Sequence, residues 1–204
     1  EPGLRRALVH SLRRFQLGEQ GEGLHLKRGA AASGDPAYQR AIDLFIAEEQ
    51  NHARLLAGIL ERLNAPLLSR HWSDTCFILL RRLFGLNQEL LVLVVAEMNA
   101  KRYYQALQDG VSDPTLKAVF TKILEDERGH LAFHTEYLRG ALVRWSLPAR
   151  VVARLAWRWV YRAACFVVIV DHRHVLRATG VSPGKFWWDT GLIFDEVAAG
   201  ILSF

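Results

Sequence analysis

Two stretches of the chain couple a lone glutamate to a Glu-x-x-His motif thirty residues downstream. Glu19 precedes Glu49 and His52, and Glu97 precedes Glu127 and His130, the second set displaced from the first by 78 residues. The flanks repeat at the same offset, since Asp35-Pro36 recurs as Asp113-Pro114 and acidic Glu48 recurs as Asp126. Residues three apart on an α-helix share a face, so each Glu-x-x-His forms a two-pronged ligand set. If two further helices supply Glu19 and Glu97 as bridging carboxylates, the six side chains would hold two hard divalent cations about 3.5 to 4 Å apart through mixed oxygen and nitrogen donors. Iron or manganese suits such donors, and the expected cofactor is two Fe ions, with Mn or a mixed Mn/Fe pair as the variant. Chance would account for an isolated motif. Four carboxylates buried together without cations would cost many kcal/mol in desolvation and mutual repulsion.

The elements that position these residues read as helices. Leu8, Leu12, Phe15, Glu19, Glu22 and Leu26 follow one seam of a helix from about residue 4 to 31. Gly18, Gly21 and Gly23 interrupt it at about 1 kcal/mol each relative to Ala. They mark either a break or a local distortion that makes space beside the metals, and the second reading is preferred. Asp35 as N-cap and Pro36 at the first helical position start a second helix, which Asn64-Ala65-Pro66 stops near Leu63. The third covers about 86–108 and places Leu90, Val94, Glu97, Lys101 and Tyr104 along a stripe. Its run from Leu90 to Ala96 is apolar all round, as expected of a helix enclosed by neighbours. Asp113-Pro114 opens the fourth, which ends before Pro148. The connection from Pro66 to Gly85 is long enough to travel the height of a bundle.

This pattern resembles the ferritin-like di-iron carboxylate superfamily, in which one Glu from each of two helices joins Glu-x-x-His from each of two others. The wording Glu48-Glu49-Gln50-Asn51-His52 and Asp126-Glu127-Arg128-Gly129-His130 is most similar to the E-E-x-x-H and D-E-x-x-H of soluble acyl-carrier-protein desaturases and di-iron N-oxygenases. The resemblance covers residues 4 to 145. It implies an all-α, ferritin-like four-helix bundle over residues 1–147, with a long crossover between its second and third helices. A basic and aromatic extension, 148–204, is expected to pack on the same domain. The family also implies that Glu48 accepts the second imidazole N–H of His130, and Asp126 that of His52.

Glu22 and His134 stand outside the repeat, because their counterparts at the 78-residue offset are Ala100 and Leu56. In a ferritin-like topology they fall one turn beyond Glu19 and His130 toward the same end. They are either a buried hydrogen-bonded pair or a catalytic addition, as a further ligand or a proton-transfer pair beside one metal. Tyr103 and Tyr104 read first as core aromatics, with a redox role for Tyr104 as the alternative.

With 204 residues, half of them hydrophobic, the chain can bury one substantial core. Cys76 and Cys165 are too few for a disulfide framework or a zinc site, and no cationic leader opens the sequence, so a cytoplasmic setting is the expectation. Arg154, Arg158 and Arg162 interrupt the apolar region 151–170, which argues against a membrane span. The net charge of +5 comes mainly from dispersed arginines, and nucleic acid is not an expected partner. Residues 148–178 form a basic amphipathic helix whose Arg150, Arg154, Arg158 and Arg162 recur every fourth position. That stripe is a candidate contact for an acidic protein or an anionic membrane surface. Ser182-Pro183 then opens a short terminal helix bearing Phe186, Trp187 and Trp188.

The leading expectation is an O2-dependent di-iron oxidase or oxygenase acting by hydroxylation, desaturation or N-oxygenation on a small-molecule or carrier-linked substrate. An external electron donor is required, because no flavin, haem or cysteine-cluster motif is encoded. The alternative is iron handling as ferroxidase, storage protein or peroxide scavenger. A third class has structural metals and a docking tail. A homodimer fits each of them.

Overall fold

The computed structural model describes residues 2–21, 23–82 and 85–202, all of whose regular structure is helical. The helices are α1 (Pro2–Glu19), α2 (Leu24–Ala32), α3 (Pro36–Arg62), α4 (Trp72–Arg81), α5 (Leu86–Gly110), α6 (Pro114–Leu142), α7 (Leu147–Ala178) and α8 (Pro183–Ile201). They fall into two compact units, residues 1–89 and 90–204.

In the first unit α1 and α2 pack on α3, and α1 also touches α4. Leu8, Leu12, Leu26, Ile42, Leu56 and Leu60 form the buried seam. The start of α3 is fixed locally: Asp35 Oδ1 accepts hydrogen bonds from the amides of Ala37 at 2.8 Å and Tyr38 at 3.1 Å, and Pro36 follows where no amide donor is needed.

The expected continuous helix over 4–31 is instead two helices. α1 ends at Glu19, and Gly23 adopts φ 63° before α2 begins at Leu24. The same glycine also provides a close approach, because a Cβ there would meet Ile46 Cδ1 at 2.4 Å. Gly23→Ala should therefore combine left-handed strain with a clash and cost about 2 kcal/mol or more. Urea unfolding of the variant checks this, and an unchanged midpoint would refute it. The long connection between α3 and α5 contains a further helix, α4.

The second unit explains why the sequence around Leu90–Ala96 is apolar on every side. α5 meets α6 where Tyr104 packs on Phe120, with ring centroids 6.4 Å apart, and where Gln108 donates to Thr121 Oγ1 at 2.7 Å. It meets α7 through Tyr103 against His172 at 5.3 Å, and through Trp157 Nε1, which donates to the Leu91 carbonyl at 2.7 Å. It meets α8 through Arg102, whose Nε lies 2.8 Å from Asp189 Oδ2. At its end, a Cβ on Gly110 would lie 2.6 Å from Thr179 Cα, so only glycine permits this approach of the backbones.

α8 is longer than the short terminal helix the sequence predicts, with 19 residues. It buries Phe186, Thr190, Phe194 and Ile201 against α6 and α7. The arginine stripe is partly spent on this packing. Arg158 and Arg154 lie 2.5 and 3.8 Å from Asp195 Oδ1, Arg158 also sits over Phe194, and Arg150 donates to the Val143 and Trp145 carbonyls that close α6.

Candidate metal centre

Each unit contains one Glu and one Glu-x-x-His pair gathered at a buried point. In the first, Glu19 is the last residue of α1, while Glu49 and His52 project from the middle of α3. His52 is fully buried, its Nδ1 lies 3.8 Å from Glu19 Oε2 and 3.5 Å from Glu49 Oε1, and one ligand atom of each residue lies within 4.8 Å of the others. Burial opposes a charge on this imidazole. The hydrogen bonding and negative charge of Glu19 and Glu49 outweigh it and raise His52 to about 11.

In the second unit Glu97 comes from α5, and Glu127 and His130 from α6, with the same mutual spacing of ligand atoms. His130 Nδ1 lies 3.3 Å from Glu97 Oε2. Burial would raise the Glu97 carboxyl, but hydrogen bonding with His130 and Glu127 and the charge of His130 hold it down at about 2. All three side chains are buried.

These donors fit a hard or borderline cation. Carboxylate oxygens and imidazole nitrogens are the right chemistry for iron or manganese. Both sets also hold negative charge away from water, where it demands positive charge nearby. A divalent cation bound there would answer that demand with two positive charges.

The remaining predicted residues are distributed as follows. His134, one turn beyond His130 on α6, is fully buried, packs against the Phe133 ring at 4.9 Å and is pushed down to about 4, chiefly by burial. Glu22, its predicted partner, lies outside the described residues. Asp126 forms an ion pair with Lys122 on its own helix, and Glu48 is exposed on α3. Tyr103 and Tyr104 are fully buried and pack edge to face at 5.3 Å, in accord with a core role.

The sequence reading missed a second buried charge in the first unit. Glu89 Oε2 lies 2.6 Å from His25 Nδ1, and Glu89 Oε1 lies 3.4 Å from Arg81 Nε. Beside them opens a cleft of about 610 Å³, lined by the α1–α2 break at Leu17, Gly18 and Gly21 and by Phe77, Ile78 and Arg81 of α4. Its signal in the sequence was an acid placed immediately before the wholly apolar run.

No family model and no curated protein matches the chain. Among solved structures it is similar to one described as protein 19 with aldehyde deformylating oxidase activity, from Synechococcus, with a TM-score of 0.71 and 18% identity. The likeness covers 100% of this chain and 93% of that one, so it reaches beyond the two motifs through α7 and α8. Sharing this architecture along its full length, the chain has the ferritin-like helical-bundle fold.

Proposed function

We propose that the two three-residue sets together form one di-iron centre, and that the protein is an O2-dependent oxidase or oxygenase of an organic substrate supplied with electrons from outside. The observation that carries this reading is the doubled Glu and Glu-x-x-His set, each copy with its ligand atoms within 4.8 Å of one another and all but the half-buried Glu49 enclosed. Support comes from the ferritin-like fold, whose helices characteristically direct such ligands into one core. Glu19, Glu49 and His52 would hold one ion, and Glu97, Glu127 and His130 the other. Iron bound there would supply the reduction of O2 coupled to oxidation of the substrate.

The protein's own residues would set the surroundings. Buried Val94, Val95 and Met98 beside Glu97, and Ile123 and Leu131 beside Glu127 and His130, keep bulk water from the donors. Burial disfavours the cationic form of His134, which can relay a proton by taking it on one ring nitrogen as it releases one from the other. Glu48 and Asp126 are proposed to orient His130 and His52.

An aldehyde is the first substrate class to test, in view of the activity described for the Synechococcus structure. The chain should be loaded anaerobically with Fe(II), assayed for bound iron, reduced and exposed to O2 with and without aldehydes of increasing chain length. Two irons per chain, and O2 uptake that is coupled to substrate oxidation, are expected. O2 uptake driven by added Fe(II) alone, with ferric mineral accumulating, would favour iron handling instead. Failure to bind iron would falsify the reading.

A further inference from the structure

Helix α7 has an exposed face opposite to the one it packs. Trp157, Tyr161, Cys165, His172 and Val175 are buried, whereas Val152, Leu155, Trp159, Phe166 and Val170 stand in solvent on a single side. At 100° per residue these five lie within about 60° of one another, along roughly 27 Å of helix. Trp159 is 69% exposed and Phe166 61%, and Trp188 on α8, the helix packed beside α7, is 69% exposed. A contiguous apolar strip of this length is unusual on a monomeric protein surface and marks a contact.

The surrounding charge identifies the occupant. α7 contains six arginines and one aspartate. Arg162 sits at the edge of the strip with its guanidinium 5.2 Å from the Trp159 ring centroid, and exposed Arg173 and Arg177 continue it toward the C-terminal end. A second copy of the same helix would bring like charges together, whereas an anionic lipid surface complements them. Tryptophan and arginine also suit the headgroup boundary, where a ring has an apolar body to bury and a guanidinium reaches outward. No described helix is long and apolar enough to cross a bilayer, so the contact is one that lies in the interface.

We infer that the exposed face of α7, with Trp188 of α8, is a docking surface for anionic membrane. Of the arginine stripe predicted from sequence, Arg162 belongs to this contact. Arg154 and Arg158 serve the packing of α8, and the apolar face beside them meets the lipid, with Arg162, Arg173 and Arg177 engaging headgroups.

The test is co-sedimentation of the full chain with vesicles of phosphatidylcholine alone or mixed with phosphatidylserine, at low and high salt, alongside light scattering of the free protein. Binding to the anionic vesicles is expected, weakened by salt and reduced about tenfold or more by Trp159→Glu/Phe166→Glu and by Arg173→Glu/Arg177→Glu. These positions are exposed, so helicity measured by circular dichroism should be unchanged. Equal partition onto neutral and anionic vesicles, absence of binding, or binding indifferent to both variants would overturn the inference. So would self-association of the free protein that Trp159→Glu/Phe166→Glu abolishes, which would assign the face to a second copy.

Discussion

Glu127→Ala is expected to lower bound iron and O2 consumption by about a hundredfold or more, while the helices stay folded. The residue is 1% exposed and has a ligand atom within 4.8 Å of those of Glu97 and His130, so its loss removes a buried donor from the proposed centre. Glu48→Ala and Asp126→Ala should be milder, at about 10- to 100-fold in metal affinity, because these residues are proposed only to orient imidazoles. Glu19→Ala and Glu97→Ala show whether these two carboxylates serve both irons or only the iron of their own set. If each carboxylate bridges, either variant should impair both irons; if each serves a separate site, each should cost a single iron. Metal analysis after anaerobic loading reads both results, and full iron content in Glu127→Ala would remove it from the ligand set.

Phe120→Ala should destabilise the protein by about 3 to 5 kcal/mol, the range for removing a fully buried aromatic ring. Its ring is wholly inaccessible and faces Tyr104, which packs in turn on Tyr103 and so toward His172 of α7. The cavity would open between α5 and α6, the two helices that carry Glu97, Glu127 and His130. Iron affinity should therefore fall together with stability, although no ligand has been altered. Denaturant titration with and without bound iron tests this; a loss under about 1 kcal/mol would mean that α5 and α6 close over the gap.

The comparison of these two variants separates what is local in this protein from what is not. The clustering of each Glu-x-x-His pair was legible because it depends on helical spacing: Glu49 and His52 share a face wherever a helix runs through them. The starts of α3 and α6 were legible for a similar reason, since the Asp35 and Asp113 caps bond only to amides two or three residues ahead. The enclosure of α5 could be read from an apolar run that left no side for water.

Other features depend on partners distant in sequence. Three glycines between residues 18 and 23 permit either a bent helix or a break, and the choice rests on the left-handed turn of Gly23 against Ile46. Asp195, 37 residues beyond Arg158, draws two members of the arginine stripe into the α7–α8 contact. The burial of Glu89 likewise depends on His25 and Arg81, supplied by separate helices. Sequence alone determined the helices, their caps and the chemistry of the donors, because short-range sterics and hydrogen bonds govern those. Tertiary structure decided where the first helix breaks, which charges are consumed by packing and which apolar face remains in solvent, because each of these follows from side-chain contacts between helices that no local pattern records.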